Sequence, residues 1–351
     1  MVQNHAPIVL ASFERRNISP HPKAILVQPP LTKICLDPPP CLSLWTLEPA
    51  IKQAFRFIGL SMSRAPNILV FDSGLGGLTV CGEVARLLPQ AHLIYAADDA
   101  AFPYGELRED ALVARVLAVM HHLIGLCGPD AVVIACNTAS TLALPHLRAR
   151  FPKIPFIGTV PAIKPAASQS RSGLISVLAT PGTVARDYTR ELVRTYAAHC
   201  AVTLAGSSLL APLAESLMRG KNVSAAAIAR EIAPAFVTSG ELRTDCIVLA
   251  CTHYPLLLRQ FERLAPWPVA WIDPAPAIAR QAGHVLREQL GFPASNIASA
   301  APNYVVFTGA LAAGPELLKA LRLRGIKKAV MEPMPLEDFP VSRKPAATFR
   351  N

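Results

Sequence analysis

Between residues 66 and 330 the chain alternates two kinds of run. Short apolar, often β-branched stretches are followed by longer ones in which apolar residues recur every three or four positions. That alternation predicts strand–helix–strand units and mainly parallel sheets, an α/β fold. Strands are expected at 68–71, 93–97, 131–135, 156–157, 174–179, 202–205, 247–250, 269–272 and 304–308. Helices are expected at 78–88, 109–127, 138–150, 183–196, 224–239, 255–264, 276–290 and 315–323, with weaker periodicity at 164–171 and 206–220.

Both ends read differently. Residues 1–61 hold nine prolines, among them Pro29, Pro30 and the run Pro38, Pro39, Pro40, and show no sustained period. Proline fixes φ and lacks a backbone donor, so this stretch is expected to be a disordered Pro-rich extension, with Met62 as an alternative start. Periodicity fades again at the other end, and an irregular tail is expected over 331–351.

Composition narrows the class. With 351 residues, 52% hydrophobic and 17% charged, the chain is too apolar for a disordered protein and long enough for about two domains. It has no uninterrupted apolar run of about 20 residues, so no membrane span is expected. The apolar run 8–12 is short and is followed, not preceded, by charges, which argues against a secretion signal. Eight cysteines form no CxxC pair and no zinc-spaced cluster, consistent with a cytoplasmic protein carrying free thiols. The net charge of +10 falls mostly at the ends: +3 over 1–61 and +4 over 321–351, leaving +3 for the 259 residues between. A nearly balanced body with basic ends does not read as a nucleic-acid binder.

One internal echo sets the organisation. Ala-Val-Val-Ile-Ala-Cys136-Asn137-Thr138 returns as Cys-Ile-Val-Leu-Ala-Cys251-Thr252-His253, 115 residues later. In each, an apolar strand ends in Ala-Cys and a polar pair precedes an expected helix. Ligands of open α/β sheets bind beyond the carboxyl ends of strands, so two such halves facing one another would bring both cysteines into one cleft. Helix N-termini favour thiolates and carboxylates, which makes Cys136 and Cys251 candidate acid/bases and Asn137, Thr138 and Thr252 candidate carboxylate binders. His253, two residues past Cys251, is placed to modulate proton transfer there. The run Asp72-Ser73-Gly74-Leu75-Gly76-Gly77 lacks both the P-loop and the GxGxxG spacing. Its glycines instead suit close approach of a substrate to the backbone, with Asp72 accepting an ammonium or tuning a thiol. Lys164 has no phosphate-binding glycine loop near it and is not expected to hold pyridoxal phosphate.

FDSGLGGLTV, YAADDAAFPYGE, VIACNTAST, PFIGTVPA, ATPGTVARDY and VLACTHYPLL, in this order over about 66–332, resemble the successive motifs of the bacterial glutamate racemases of the aspartate/glutamate racemase superfamily. The resemblance implies two pseudo-symmetric α/β domains with the active site in the cleft between them. The first domain would comprise 66–160 plus 270–330 and the second 161–269. It implies no metal, nucleotide or pyridoxal cofactor, glutamate as substrate, and D-glutamate supplied to peptidoglycan. Cys136 and Cys251 would be the two acid/bases on opposite faces of the substrate Cα, with Asp72 assisting the first and His253 and Glu215 the second. Substrate contacts would fall on Asp72, Ser73, Tyr104, Gly105, Asn137, Thr138, Thr252 and His253, with Thr180 and Thr183 completing the carboxylate pocket. A homodimer is usual in the family, and some members with shorter N-terminal extensions are activated by a cell-wall precursor. An aspartate racemase or related superfamily isomerase, or a non-catalytic binding protein on the same fold, is the alternative.

Overall fold

The structure, a computed structural model, describes residues 64–295, 297, 299–309 and 313–334, within the compact unit Ser63–Asn351. The expected extension at 1–61, Met62, and the tail beyond 334 lie outside the described residues. The strands in chain order are β1 (Asn67–Asp72), β2 (His92–Ala97), β3 (Ala131–Ile134), β4 (Phe156–Ile157), β5 (Leu174–Ala179), β6 (Ala201–Gly206), β7 (Thr238–Ser239), β8 (Leu242–Arg243), β9 (Cys246–Ala250), β10 (Ala270–Ile272), β11 (Asn303–Phe307) and β12 (Ile326–Met331). Six of them form a parallel sheet in the order β12-β11-β2-β1-β3-β4, and four form a second in the order β10-β9-β5-β6. The α/β class read from the periodicity is the observed one.

The helices are α1 (Leu78–Leu87), α2 (Glu109–Cys127), α3 (Asn137–Arg150), α4 (Ile163–Gln169), α5 (Pro181–Val184), α6 (Asp187–Tyr196), α7 (Leu210–Met218), α8 (Ala225–Ile232), α9 (Leu258–Leu264), α10 (Ala275–His284) and α11 (Pro315–Arg322). Strand residues alternate between faces, and β1 shows the result: Ile68 and Val70 join one core with α1 and α10, while Leu69 and Phe71 join another with α2 and α3. The second sheet is likewise covered on both faces. Helix α2 is apolar enough over 19 residues to cross a bilayer, yet its Leu112, Val116, Val119 and Leu123 are buried in the sheet core. A left-handed Gly128, with φ of +53°, stops it.

Each sheet has a point where the chain reverses its direction of strand addition. β1 is flanked by β2 and β3, and β5 by β6 and β9. In register, Phe71 lies opposite Ile134 and Ala179 opposite Ala250. In one sheet Asp72 ends β1 and Cys136 lies two residues past β3; in the other Thr180 and Cys251 directly follow β5 and β9, at the two places where α/β sheets bind ligands.

The structure departs from the sequence reading at several points. The helix expected over 224–239 ends at Ile232, because Pro234 follows and the chain turns into the β7–β8 hairpin. The one expected over 183–196 is split at Arg186, whose extended backbone separates α5 from α6. Strand β10, expected with the first sheet, pairs with β9 in the second. Strand β12 was not expected: a bulge opposite Asn303 and Tyr304 leaves Lys327 and Lys328 both exposed and erases its period of two. The ladder then continues into the expected tail, where Glu332 and Met334 donate N–H groups to Phe307 and Thr308.

A buried ion pair ties α2 to the sheet. Arg115 donates to Asp98 through Nε at 2.9 Å and Nη2 at 2.5 Å, both side chains being fully buried. Asp98 also accepts from the hydroxyls of Tyr104 and Thr308, and Arg115 donates to the Met334 carbonyl. Removing one partner of such a pair strands the other in low dielectric. Asp98→Ala is therefore expected to lose about 3–5 kcal/mol of folding stability, measured by chemical denaturation.

Candidate active site

Ten of the expected residues line one cleft, which encloses about 330 Å³ of empty space including its opening: Ser73, Tyr104, Gly105, Cys136, Asn137, Thr138, Thr180, Cys251, Thr252 and His253. Asp72, Thr183 and Glu215 stand behind this lining. Phe102, Pro103, Ala211 and Ala250 complete it. Phe102 was not singled out in the sequence. Its ring packs 5.3 Å from that of His253, and its place directly before the Pro-Tyr-Gly turn was the available signal.

On the Cys251 side, strand β9 does not run directly into an α-helix. Cys251, Thr252 and His253 form a turn ahead of the 3-10 segment Tyr254–Leu257, so the expectation that each cysteine opens a helix holds for Cys136 alone. The Cys251 sulfur lies 3.9 Å from Nδ1 of His253, whose Nε2 is 2.9 Å from Oε1 of Glu215. Burial disfavours charge on His253, but the bonds to Cys251 and Glu215 outweigh it and raise its pKa well above the ordinary imidazole value. Burial likewise opposes charge on Glu215, and is outweighed by His253, the Leu75 N–H and Arg219, which hold it below its ordinary value. The two directions agree on an imidazolium–carboxylate pair. Nε2–H then donates to Glu215, and the Gly76 N–H, 3.2 Å from Nε2, becomes a donor to that nitrogen only when the ring is neutral.

This pair explains the glycines after β1. A Cβ on Gly74 would stand 2.5 Å from Oε1 of Glu215; one on Gly76 would stand 2.5 Å from Nδ1 of His253 and 2.6 Å from the Thr252 hydroxyl. The close approach expected for a substrate is made by side chains of this same chain. Leu75 N–H donates to Glu215 at 2.5 Å, and the Thr252 hydroxyl donates to Asp72 at 3.1 Å. Asp72 also accepts from Gly74 and Gly77, and burial pushes its carboxyl above the usual range.

On the Cys136 side the cysteine is the N-cap residue of α3. Its thiol is pushed up to about 12, chiefly by burial and then by the Asp72 charge, against the Ala139 N–H and the Ser73 hydroxyl, 3.7 Å away. Asn137 follows, 3% exposed, and both its amide oxygen and its amide nitrogen lack a partner. Buried amides are nearly always satisfied, and this one is left unsatisfied in the wall of the cleft. Thr180 caps α5, accepting from the Thr183 N–H, while the fully buried Thr183 turns its hydroxyl to Thr180 at 3.1 Å. Thr183 therefore supports Thr180 from behind. The Tyr104 hydroxyl is engaged by Asp98. Among the described residues no group of three or more His, Cys, Asp or Glu is arranged to hold a metal.

Residues 77–282 match the model of the Asp/Glu/Hydantoin racemase family. The chain belongs to that family. The glutamate racemase of Agrobacterium fabrum is 57% identical over 219 residues, which cover 62% of this chain and 80% of that one. The crystal structure of Escherichia coli glutamate racemase, in complex with L-glutamate and the activator UDP-MurNAc-Ala, superposes with a TM-score of 0.69 at 39% identity, covering 76% of this chain and 97% of that one. The Thermus thermophilus glutamate racemase, in complex with β-chloro-D-alanine, does so with a TM-score of 0.57 at 27% identity, over 79% and 100%.

The linked titrations of this racemase-family site have a sign. Glu215, lowered in the fold, contributes stability above its ordinary value of 4.5 and loses it as pH falls. His253, raised in the fold, contributes fully below 6.5 and loses that as pH rises through its folded value. Glu215→Gln is expected to move the His253 titration, followed by NMR, down towards 6.5. It should also lower stability by about 1.5–3 kcal/mol, with the deficit greatest between pH 4.5 and 6.5.

Proposed function

We propose that this chain is a glutamate racemase, interconverting L- and D-glutamate by moving the Cα proton between Cys136 and Cys251 without metal, nucleotide or pyridoxal group. The observation that carries the reading is the unpartnered Asn137 amide, buried in a cleft lined by both thiols. Its nitrogen is free to donate to a carboxylate and its oxygen to accept from an ammonium, the two groups on the Cα of an amino acid. The glutamate specificity rests on the relatives, among them the A. fabrum enzyme at 57% identity.

Inverting one stereocentre needs a proton taken from one face and another given to the opposite face. In one direction a thiolate removes the Cα proton and becomes a thiol, while the opposite thiol donates its proton to the carbanion and becomes a thiolate. In the other direction the roles exchange. With its thiol pushed up to about 12, Cys136 starts as the protonated partner. The Cys251 sulfur faces the His253–Glu215 pair, which places a positive ring beside any charge that forms there. The carbanion would delocalise onto its carboxylate, where the first N–H groups of α3 and the Asn137 amide stabilise it. A homodimer, supply of D-glutamate to peptidoglycan, and activation by a cell-wall precursor such as the UDP-MurNAc-Ala of the E. coli structure go with this reading.

The test is incubation with L-glutamate, and separately L-aspartate, in deuterated water without added cofactor, following Cα–H loss by NMR and chirality by chromatography. Solvent deuterium is expected to enter glutamate as its other enantiomer forms, and Cys136→Ala and Cys251→Ala are each expected to abolish racemisation. Deuterium entering aspartate alone would keep the chemistry and overturn the substrate. Asn137→Ala is expected to reduce kcat/KM by about 10²-fold, as for loss of one donor to a developing anion. Adding UDP-MurNAc-Ala to the full chain is expected to raise kcat/KM; unchanged kinetics would remove the activator.

A further inference from the structure

The two cysteines do not have equivalent surroundings. Cys251 has an imidazolium at 3.9 Å, whereas Cys136 has a serine hydroxyl and, behind it, the Asp72 carboxyl. A thiolate at Cys136 therefore needs a cation, and the break between α5 and α6 provides one. Arg186 sits in that break with extended backbone, φ −82° and ψ 140°, and its side chain is only 11% exposed. It reaches from the second sheet's helices to the first turn of α3, where Nη1 donates to the Thr141 hydroxyl and lies 3.4 Å from the Thr138 carbonyl. Its Nε is buried with no partner. Its carboxylate neighbour is Glu109 at 3.9 Å, itself 62% exposed, so the guanidinium charge is weakly compensated. Burial lowers its pKa, against the opposing charges of Glu109 and Cys136.

We propose that Arg186 is a positioning residue for proton transfer at Cys136: docked on the first turn of α3, it fixes the Cys136–Asn137–Thr138 corner and supplies the positive field in which the Cys136 thiolate forms. The inference rests on the two-cysteine reading above. The ionisable groups facing Cys136 are Asp72 and Cys251, whose charges would oppose a thiolate there, Tyr104 and Tyr95, which burial keeps protonated, and Arg186 itself. Those facing Arg186 are Glu109 and Cys136. A guanidinium suits the place because its planar fork can hold the Thr141 hydroxyl and the Thr138 carbonyl while keeping its charge when partly buried.

The test compares alkylation of Cys136 and Cys251 in the full chain by iodoacetamide across pH, read by peptide mass spectrometry, in wild type, Arg186→Gln and Arg186→Lys. Both thiols share one cleft, so the ratio of their rates cancels changes in access. Arg186→Gln is expected to lower the Cys136/Cys251 ratio about tenfold near pH 8, corresponding to one pKa unit, and Arg186→Lys to recover part of it. The acid limb of kcat is expected to move up by about one pH unit in one direction of turnover only. kcat/KM must fall equally in both directions, since the enantiomers have equal free energy. An unchanged alkylation ratio, or a rise in KM with no shift of either pH profile, would overturn the proposal. Arg186→Met, similar in length and uncharged, serves the same comparison if the Gln variant does not fold. Cys136→Ala separates the two failures. If it still racemises glutamate, the two-cysteine reading falls; if it is inactive while the ratio ignores Arg186, only the role of Arg186 falls.

Discussion

The site depends on one close approach: Thr252 and His253, carried at the end of β9, sit against the bare backbone of the Gly74–Gly77 loop that follows β1. No Cβ fits at Gly74 or Gly76 without displacing Glu215, His253 or Thr252. Because the loop is bare, its polar groups can serve the other sheet's side chains directly. Leu75 gives its N–H to Glu215, and Asp72 takes the Thr252 hydroxyl. These groups are buried, so each is costly to leave unmade, and the ends of two sheets are joined by a satisfied polar network. The position of Cys251 relative to Cys136 follows from that network, since each thiol is adjacent in sequence or in space to one of its members.

Burial gives the same network an electrostatic consequence. Asp72 holds Thr252 in place, yet it stands behind Cys136, where its charge adds to desolvation in keeping that thiol protonated. The imidazolium–carboxylate pair works the other way at Cys251, where it presents a positive ring to the sulfur. The two sulfurs thus stand in opposite local fields, one with a carboxylate behind it and the other beside a cation. A bound amino acid, with its own ammonium and carboxylate, enters a field already polarised between the two sulfurs.

Much of this was legible in the chain. The nine expected strands all exist within a residue or two of their expected bounds, because buried parallel strands read as continuous apolar runs. The Ala-Cys echo located both thiols for the same reason: the runs before them are interior strands, β3 and β9, each paired on both sides. What escaped depended on contacts distant in sequence. Strand β12 was masked by a bulge that only its partner reveals. Arg115 was not singled out in the sequence, and its purpose appears only where Asp98 meets it, 17 residues away. The glycine run could be read as making room, but not for whom: the occupants are Glu215 and His253, 140 positions downstream of Leu75 and 177 downstream of Gly76.

The echo also shows how equivalent places in two half-repeats take different work. After Cys136 comes Asn137, an amide with no partner at the mouth of a helix; after Cys251 comes Thr252, whose hydroxyl is already given to Asp72. The first half thus leaves its polar residue unengaged in the cleft, while the second uses its own to join the sheets and sets His253 beside its thiol. That division has an electrostatic corollary. A carboxylate anchored by Asn137 and the α3 N-terminus brings negative charge to the neighbourhood of Cys136, the thiol that already has a carboxylate behind it. On the proposed two-cysteine reading, substrate binding would oppose ionisation of that thiol unless a cation lies within reach of the corner, and the Arg186 guanidinium, docked on the start of α3, is placed to offset that opposition.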